Sequence, residues 1–276
     1  MSQRFFLDKK QIRRQFDRAA KAYAEHAPVY QEIEARLNEK LDYIRMQPEN
    51  VLDLGCGVGS LSSELKQRYP DAQIVSVDLS LGMLKQNKNP GIQADAIKLP
   101  FANESMDIVI SNLMLPWCDN LALVFQEIKR VLKTDGLVLF STFGPDTFKE
   151  LRAAWACIDN NPRVQIFFDM HDIGDALLKT NFADPVMDVE HLTVNYAKFE
   201  NFLKDLKLTG STNVMQDRPS GLLTKNKLIQ LEKNYIKEGN KFLVTYEIAY
   251  GHAWKTNVKK TDAPGEFYFP VNRLFS

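Results

Sequence analysis

Cysteine and histidine are both scarce in this chain of 276 residues. The three cysteines and four histidines lie far apart, at Cys56, Cys118, Cys157, His26, His171, His191 and His252. An odd number of widely spaced cysteines does not form the disulfide framework of a secreted fold, and no ligand spacing typical of zinc is present. We therefore expect reduced thiols, a cytoplasmic protein and no metal.

The chain also lacks an excess of either charge and any long apolar run. Lysine plus arginine and aspartate plus glutamate both number 35, so the composition favours neither a nucleic-acid partner nor a membrane surface. No run approaches the roughly 20 apolar residues of a membrane span, and the first ten residues lack the apolar core of a signal peptide. With 45% hydrophobic residues, the chain is long enough for one substantial core with an inserted subdomain.

The sequence does contain one stretch, Val51–Ser60, in which a strand pattern gives way to a glycine-rich turn within ten residues. Its first four residues are apolar apart from Asp53 and predict a buried strand, whereas the residues that follow it have helical spacing. Between the two, Gly55, Gly57 and Gly59 permit a tight turn that a ligand can approach closely. This strand, turn and helix predict a ligand-binding corner, but the G-x-G-x-G spacing departs from the dinucleotide fingerprint and leaves the cofactor open.

Apolar runs alternate with helical patterns after this corner. Strands are predicted at 74–78, 91–95, 107–112 and 137–142, with a helix at 121–132. Strands separated by helices favour a parallel, doubly wound α/β sheet with ligands at the carboxyl ends of the strands. Asp78 ends the first of these strands, where a carboxylate either binds ribose hydroxyls or caps the next helix, a role for which Ser80 competes.

The segments before and after this region differ from it in their predicted secondary structure. Residues 8–47 predict two amphipathic helices separated by Pro28, which form either a lid over the corner, with Tyr23 facing it, or a pair packed on the sheet edge. In the second half we expect helices at 148–158 and 171–179, and strands at 185–196 and 241–254. The expected organisation is a lid (1–47), a core (48–196 and 242–256), a helical insertion before the last strand (197–241) and a loose tail (257–276).

Four features in this order resemble the class I methyltransferases that use S-adenosylmethionine. They are the glycine corner, Asp78, Asp95 before Leu99-Pro-Phe101, and Ser111-Asn112 at the end of a strand. The resemblance implies a mostly parallel seven-stranded Rossmann-like sheet whose last two strands form an antiparallel hairpin.

The same resemblance implies a set of residues that bind the cofactor. The corner and Asp53 would hold the methionine part and Asp78 the ribose, and the full set is Asp53, Gly55, Cys56, Gly57, Gly59, Asp78, Leu79, Met83, Asp95, Ala96, Asn112 and Leu113. Within it, Leu79 and Met83 would flank the adenine, although Met83 fits a plain core position equally well. Asn112 and Leu113 would line the methionine side.

Segments outside the corner resemble the malonyl-acyl-carrier-protein O-methyltransferases of biotin synthesis. These segments are Phe16–Ala20 with Tyr23, Ser111–Leu113 with Trp117-Cys118, Thr142–Thr147 with Glu150–Trp155, His171–Asp175, and Val244–Tyr246 with Tyr250–Trp254. The resemblance implies that the free carboxylate of a malonyl thioester is esterified, so that the product primes pimeloyl and biotin synthesis.

The acceptor chemistry makes modest demands on the protein. A carboxylate with an ordinary pKa of ~4 is already an anion at neutral pH, so no general base is required and none is visible at motif spacing. Our candidates for the acceptor site are Tyr23, Trp117 and Arg152, with the guanidinium as a bidentate clamp. Arg152 on a solvated helix face and Trp117 as a core aromatic are the structural alternatives.

An acidic carrier protein, as the resemblance implies, would need a basic docking surface. Residues 197–241 contain nine lysines or arginines against five acids, although such lysines also occur on solvated helix faces. Three other functions stay open: a small-molecule methyltransferase of the same fold, an assembly factor that binds the cofactor but serves a partner protein, and a nicotinamide oxidoreductase. The glycine spacing disfavours the last.

Overall fold

The computed structural model describes residues 6–221 and 223–256. The tail predicted at 257–276 lies outside the described residues. Within the described ranges, no helix is both long and apolar enough to cross a bilayer.

The core of the fold is one mixed sheet. Its strands, in chain order, are β1 (Asn50–Leu54), β2 (Gln73–Asp78), β3 (Gly91–Gln93), β4 (Met106–Asn112), β5 (Leu132–Phe143), β6 (Ala183–Tyr196), β7 (Lys237–Glu238) and β8 (Lys241–Trp254). They lie in the order β3-β2-β1-β4-β5-β8-β6, and the two-residue β7 pairs with β8. β1 to β5 are parallel, whereas β8 is antiparallel to both β5 and β6.

Helices cover both faces of this sheet and the carboxyl ends of its parallel strands. They are α1 (Lys9–Ala19), α2 (Tyr23–His26), α3 (Pro28–Glu39), α4 (Ser60–Arg68), α5 (Leu81–Leu84), α6 (Leu121–Val131), α7 (Lys149–Ala156), α8 (Met170–Lys179), α9 (Phe199–Leu208) and α10 (Lys225–Asn234). Short 3-10 turns occupy Lys40–Tyr43 and Leu115–Trp117. α9 and α10 fall within the segment predicted as a helical insertion.

The pattern of the central strands explains why both faces are covered. In β4, Ile108 and Ile110 belong to the hydrophobic cluster on one face and Val109 to the cluster on the other. All three side chains are fully buried, as a parallel strand with helices on both sides requires. The predicted doubly wound sheet with an antiparallel pair at its end is confirmed, and among its strands only the short β7 was not predicted.

Candidate active site

A cavity opens at the carboxyl ends of β1, β2 and β4, where a doubly wound sheet binds its ligands. Its floor comes from the loops after these strands and after β3, and its roof comes from the N-terminal helices. The residues lining it are Lys9, Ile12, Phe16, Tyr23, Tyr30, Leu54, Gly55, Gly57, Val77, Asp78, Leu79, Met83, Ala94, Asp95, Ala96, Ile97, Asn112, Leu113, Met114, Trp117, Cys118 and Asp119. Eleven of the fifteen site residues proposed from the sequence are therefore brought together.

The glycine corner forms one wall through its backbone. Gly55 and Gly57 both line the cavity with positive φ angles, of 79° and 53°, which glycine adopts without strain. A Cβ at Gly55 would lie 2.5 Å from Cβ of Met114, so no larger residue fits there. A Cβ at Gly57 would have no atom within 4 Å, so that this backbone faces open space suited to a ligand.

Asp78 lies beside this backbone at the end of β2. Its carboxylate accepts hydrogen bonds from the N–H groups of Gly57 (2.9 Å) and Ser80 (2.7 Å). Burial raises the pKa of Asp78, and these backbone bonds act against that rise. Ser80 caps α5 by accepting a bond from the Met83 N–H, which resolves the alternative role of Asp78. The two bonds leave acceptor capacity on the Asp78 carboxylate for a ligand hydroxyl.

Asp95 marks the opposite end of the cavity. Its carboxylate accepts from the Ile97 N–H at 3.2 Å and pairs with the Lys9 ammonium at 2.8 Å. Lys9 belongs to α1, so this ion pair joins the N-terminal helix to the loop after β3. The sequence left open whether Met83 is a core residue or a cavity residue. In the structure it lines the cavity and also packs on the buried Ala19.

A group of polar side chains lies beneath the corner. Asn112 accepts from the Ser141 hydroxyl at 2.6 Å, and its amide nitrogen lies 3.4 Å from a carboxylate oxygen of Glu34. Burial raises the pKa of Glu34 to about 8, and the Ser60 hydroxyl acts against that rise. Burial likewise raises the pKa of Asp53 to about 7, although that carboxylate accepts a 2.5 Å bond from the Ser62 hydroxyl.

Half of the 22 lining residues were not among the proposed site residues, and three polar residues of this region illustrate why. Lys9 and Tyr30 line the cavity, and Glu34 lies beside its residue Asn112. Glu34 carried a visible signal, because it interrupts the buried side of α3 between Ile33 and Leu37. Lys9 carried none, since its role depends on a contact with a residue 86 positions away.

Two of the three acceptor candidates lie at the cavity. Tyr23 is near Tyr30, with ring centroids 6.1 Å apart, and Trp117 meets the Phe16 ring edge-to-face at 5.1 Å. Burial raises the pKa of Tyr23 well above its ordinary value, so the phenol keeps its proton.

Arg152, the third candidate, is not brought to the cavity. Its guanidinium donates to the backbone carbonyls of Pro145, Thr147 and Gln165, at 3.0, 3.2 and 3.4 Å. These carbonyls occupy the guanidinium N–H groups that a bidentate bond to a substrate carboxylate would need. The group is half-buried, so the solvated-face alternative does not describe it either.

Asp53, Cys56 and Gly59 also do not line the cavity. Gly59 turns toward the Asn87 side chain, which a Cβ at Gly59 would meet at 2.1 Å. Burial raises the pKa of the Cys56 thiol, which contacts the Asn87 amide at 3.7 Å. These residues shape the corner from behind, as the buried Asp53 does through Ser62. All three cysteines are free.

One group of possible metal ligands lies away from the cavity. Asp146, His191 and Glu247 bring one ligand atom each within 4.8 Å of one another. Asp146 is already paired with the Lys149 ammonium at 3.1 Å, and neither it nor His191 is buried.

Comparison with known proteins places this geometry among the methyltransferases. A family model described as a methyltransferase domain matches residues 52–140, which include the corner, Asp78, Asp95 and Asn112. The chain is 42% identical over 267 residues to the malonyl-[acyl-carrier protein] O-methyltransferase of Gallionella capsiferriformans, covering 91% of this chain and 92% of that protein. It is 40% identical to the protein of the same name from Legionella pneumophila, covering 96% and 97%.

Solved structures agree on the fold. The YcgJ protein of Bacillus subtilis superimposes with a TM-score of 0.59 at 14% identity, over 81% of this chain and 99% of that one. Phosphoethanolamine N-methyltransferase 2 of Haemonchus contortus, solved with S-adenosyl-L-methionine, has a TM-score of 0.52 at 20% identity, over 81% and 52%. The predicted methyltransferase fold is confirmed.

Proposed function

Since the chain belongs to the malonyl-[acyl-carrier protein] O-methyltransferase family, we propose that it transfers a methyl group from S-adenosylmethionine to the free carboxylate of malonyl-acyl-carrier protein. The observation that carries this proposal is the near full-length similarity, which includes the segments beyond the cofactor corner. The resulting malonyl methyl ester would prime pimeloyl and biotin synthesis.

S-adenosylmethionine is the cofactor, and the cavity suits it. Open space over the Gly57 backbone accommodates a ligand that a side chain would exclude, and Asp78 retains acceptor capacity for the ribose hydroxyls. We assign Leu79 and Met83 to the adenine faces, Asp95 and Ala96 to the adenine edge, and Asn112 with Leu113 to the methionine side. When bound, the cofactor supplies an electrophilic methyl group.

The protein's own task is to position and desolvate the acceptor. A carboxylate needs no deprotonation at neutral pH, and no histidine lines the cavity among the described residues. Apolar walls from Ile12, Phe16, Leu113 and Trp117 would strip water from the carboxylate and hold it in line with the methyl group.

We place Tyr23 and Trp117, and not Arg152, at the acceptor. The Tyr23 phenol, whose pKa burial holds above its ordinary value, can donate one hydrogen bond to the carboxylate oxygen that is not methylated. Trp117 would form the apolar wall. The three carbonyl acceptors of the Arg152 guanidinium support a structural role for that residue.

We further propose that the N-terminal helices act as the lid over this site. Among the contacts that hold α1 to the core, the Asp17 carboxylate accepts hydrogen bonds from the Ser80 hydroxyl at 2.6 Å and the Gly82 N–H at 2.8 Å. These bonds, with the Lys9–Asp95 and Arg218–Asp8 ion pairs, would break when α1 opens for substrate exchange. A cytoplasmic location is part of the proposal and agrees with the free thiols.

The carrier protein would dock weakly and through charge. We expect the rate on carrier-bound substrate to fall with salt, because attraction between exposed charges is screened over ~10 Å at 0.1 M ionic strength. A rate constant that does not change with salt would count against charge-driven docking.

An assay with labelled S-adenosylmethionine tests the reaction itself. Malonyl-carrier protein and malonyl-coenzyme A are offered side by side, and the product is identified as a methyl ester. Methylation of a phenol or amine but no malonyl thioester would support the small-molecule alternative. Cofactor binding without transfer to any acceptor would support the assembly factor.

A further inference from the structure

α1 carries a row of cations on the side that faces solvent. Lys10, Arg13, Arg14, Arg18 and, in the turn that follows, Lys21 are all exposed. Within residues 6–221 and 223–256, none of them makes an ion pair or a hydrogen bond through its side chain. We call these five residues the α1 basic face.

The other side of the same helix forms part of the active site. Lys9, Ile12 and Phe16 line the cavity at spacings of three and four residues, which place them on one face of the helix. The sole acid within α1, Asp17, is engaged by Ser80 and Gly82. The α1 basic face thus keeps its charge available to solvent directly behind one wall of the cavity.

Apart from Arg18, which lies in the last turn where the dipole favours a cation, the placement of these cations does not favour the helix. Lys10 lies in the first turn, where the helix dipole favours acids, and that turn has none. Lys10, Arg14 and Arg18 repeat at intervals of four, so that like charges are neighbours, which costs roughly 0.2–0.5 kcal/mol per pair. Local helix stability therefore does not account for the row, and an anionic partner would reverse the cost.

In the segment 197–241, from which docking was first expected, three of the nine cations already have a partner. Arg218 pairs with Asp8 at 3.4 Å, Lys227 pairs with Asp159 at 2.8 Å, and the Lys237 ammonium lies 4.3 Å from the centroid of the Phe242 ring. α10, which carries two exposed lysines of this segment, contributes no residue to the cavity lining.

From these observations we infer that the acidic carrier protein docks on the α1 basic face and delivers its malonyl group past the edge of α1 into the cavity. This inference rests on the proposed function for the identity of the partner. An acidic partner seated there would pair with cations that have no partner within the described chain, and its thioester arm would have only one helix to pass.

Charge reversal on the full-length protein tests the location. The variant Arg13→Glu/Arg14→Glu/Arg18→Glu removes the centre of the face, and Lys225→Glu/Lys233→Glu on α10 is the control for charge reversal in the segment 197–241. The substrates are malonyl-carrier protein and malonyl-N-acetylcysteamine, a small thioester without phosphates. At about 50 mM salt we expect the triple variant to lose at least roughly tenfold in kcat/KM on the carrier substrate, mainly through KM, and to approach the parent at about 0.5 M.

The triple variant should change kcat/KM on the small thioester by less than about twofold. The α10 control should likewise change kcat/KM on the carrier substrate by less than about twofold. An equal loss on both substrates would mean that the face supports the cavity wall and would overturn the inference. A loss in the α10 control but not in the triple variant would place docking on 197–241 instead.

Binding of fluorescently labelled carrier protein keeps the inference testable if no malonyl thioester is methylated. The triple variant should raise the Kd of the labelled carrier at least roughly tenfold at about 50 mM salt, whereas the control should not. Inactivity of the parent protein on every thioester would defeat the proposed function alone. An unchanged Kd in the triple variant would defeat the docking site.

Discussion

The Gly57 N–H donates a 2.9 Å hydrogen bond to the carboxylate of Asp78, 21 residues along the chain. The bond locks the glycine corner after β1 to the end of β2, so that one residue presents bare backbone and the other a carboxylate to the same cavity. Two variants separate these contributions.

Gly57→Ala should weaken cofactor binding more than it weakens the fold. Its methyl group would enter the open space over the corner, and the residue would keep a φ of 53° that costs about 1 kcal/mol in a non-glycine residue. Gly239→Ala is the control, because Gly239 has a φ of 59° and equally free space but lies outside the cavity. We expect similar falls in Tm and a raised Kd for S-adenosylmethionine, by calorimetry, only in Gly57→Ala. Equal Kd values in the two variants would remove the corner from the cofactor site.

Asp78→Asn should raise the Kd for S-adenosylmethionine about 100-fold. Hydrogen bonds to a charged acceptor contribute roughly 1.5–3 kcal/mol each, and a ribose offers two hydroxyl donors. Exposed Asp71→Asn provides the control for the loss of one charge. A change below about threefold in Asp78→Asn, with Tm preserved, would show that the carboxylate does not hold the ribose.

Tyr23→Phe should lower kcat on the malonyl thioester roughly tenfold and leave the Kd for S-adenosylmethionine within about twofold. The variant keeps the half-buried ring beside Tyr30 and deletes only the donor. Steady-state kinetics with the cofactor saturating provides the measurement. An unchanged kcat would place the donor to the carboxylate elsewhere.

Arg152→Ala should act on stability instead. The change deletes three bonds to backbone carbonyls and should lower the free energy of unfolding by about 1–3 kcal/mol, measured by denaturant titration. Any remaining folded protein should keep nearly the parent KM for the malonyl thioester. A KM raised more than about tenfold at unchanged stability would restore the clamp predicted from the sequence.

Glu34→Gln should change how stability depends on pH. Burial raises the pKa of Glu34 from an ordinary value of 4.5 to about 8. The folded state therefore holds a proton that the unfolded state has lost, and this contribution is complete below pH 4.5 and is lost as pH rises toward 8. Glutamine mimics the protonated form. Between pH 5 and pH 9, the free energy of unfolding of the variant should therefore rise relative to that of the parent by an amount on the order of a few kcal/mol.

Thermal unfolding of parent and variant across that range provides the measurement for Glu34. Glu39→Gln is the control on the same helix, because Glu39 is exposed. A Tm difference between Glu34→Gln and the parent that stays constant with pH would mean that Glu34 ionises normally in the folded protein.

Local patterns in the sequence were sufficient for the fold and the cofactor corner. The strand, glycine turn and helix of Val51–Ser60 depend on neighbouring residues, and the alternation of strands with helices implies the parallel sheet. Asp78 followed because parallel strands bring their carboxyl ends to one edge, whereas Asp95 was implied by the resemblance to the class I methyltransferases. The cofactor and family predictions, which depended on these features with the finer motifs, are confirmed.

Contacts between distant parts of the chain decided the rest, because no local pattern encodes them. Arg152 looked like a clamp in sequence, but its guanidinium reaches the Gln165 carbonyl and two others instead of the cavity. Lys9 belongs to the site because its ammonium pairs with Asp95, and Glu34 because its carboxylate contacts the Asn112 amide. The sequence by itself indicated the methyltransferase fold and its cofactor corner, whereas only the tertiary structure decided which side chains line the cavity and which face of α1 is exposed.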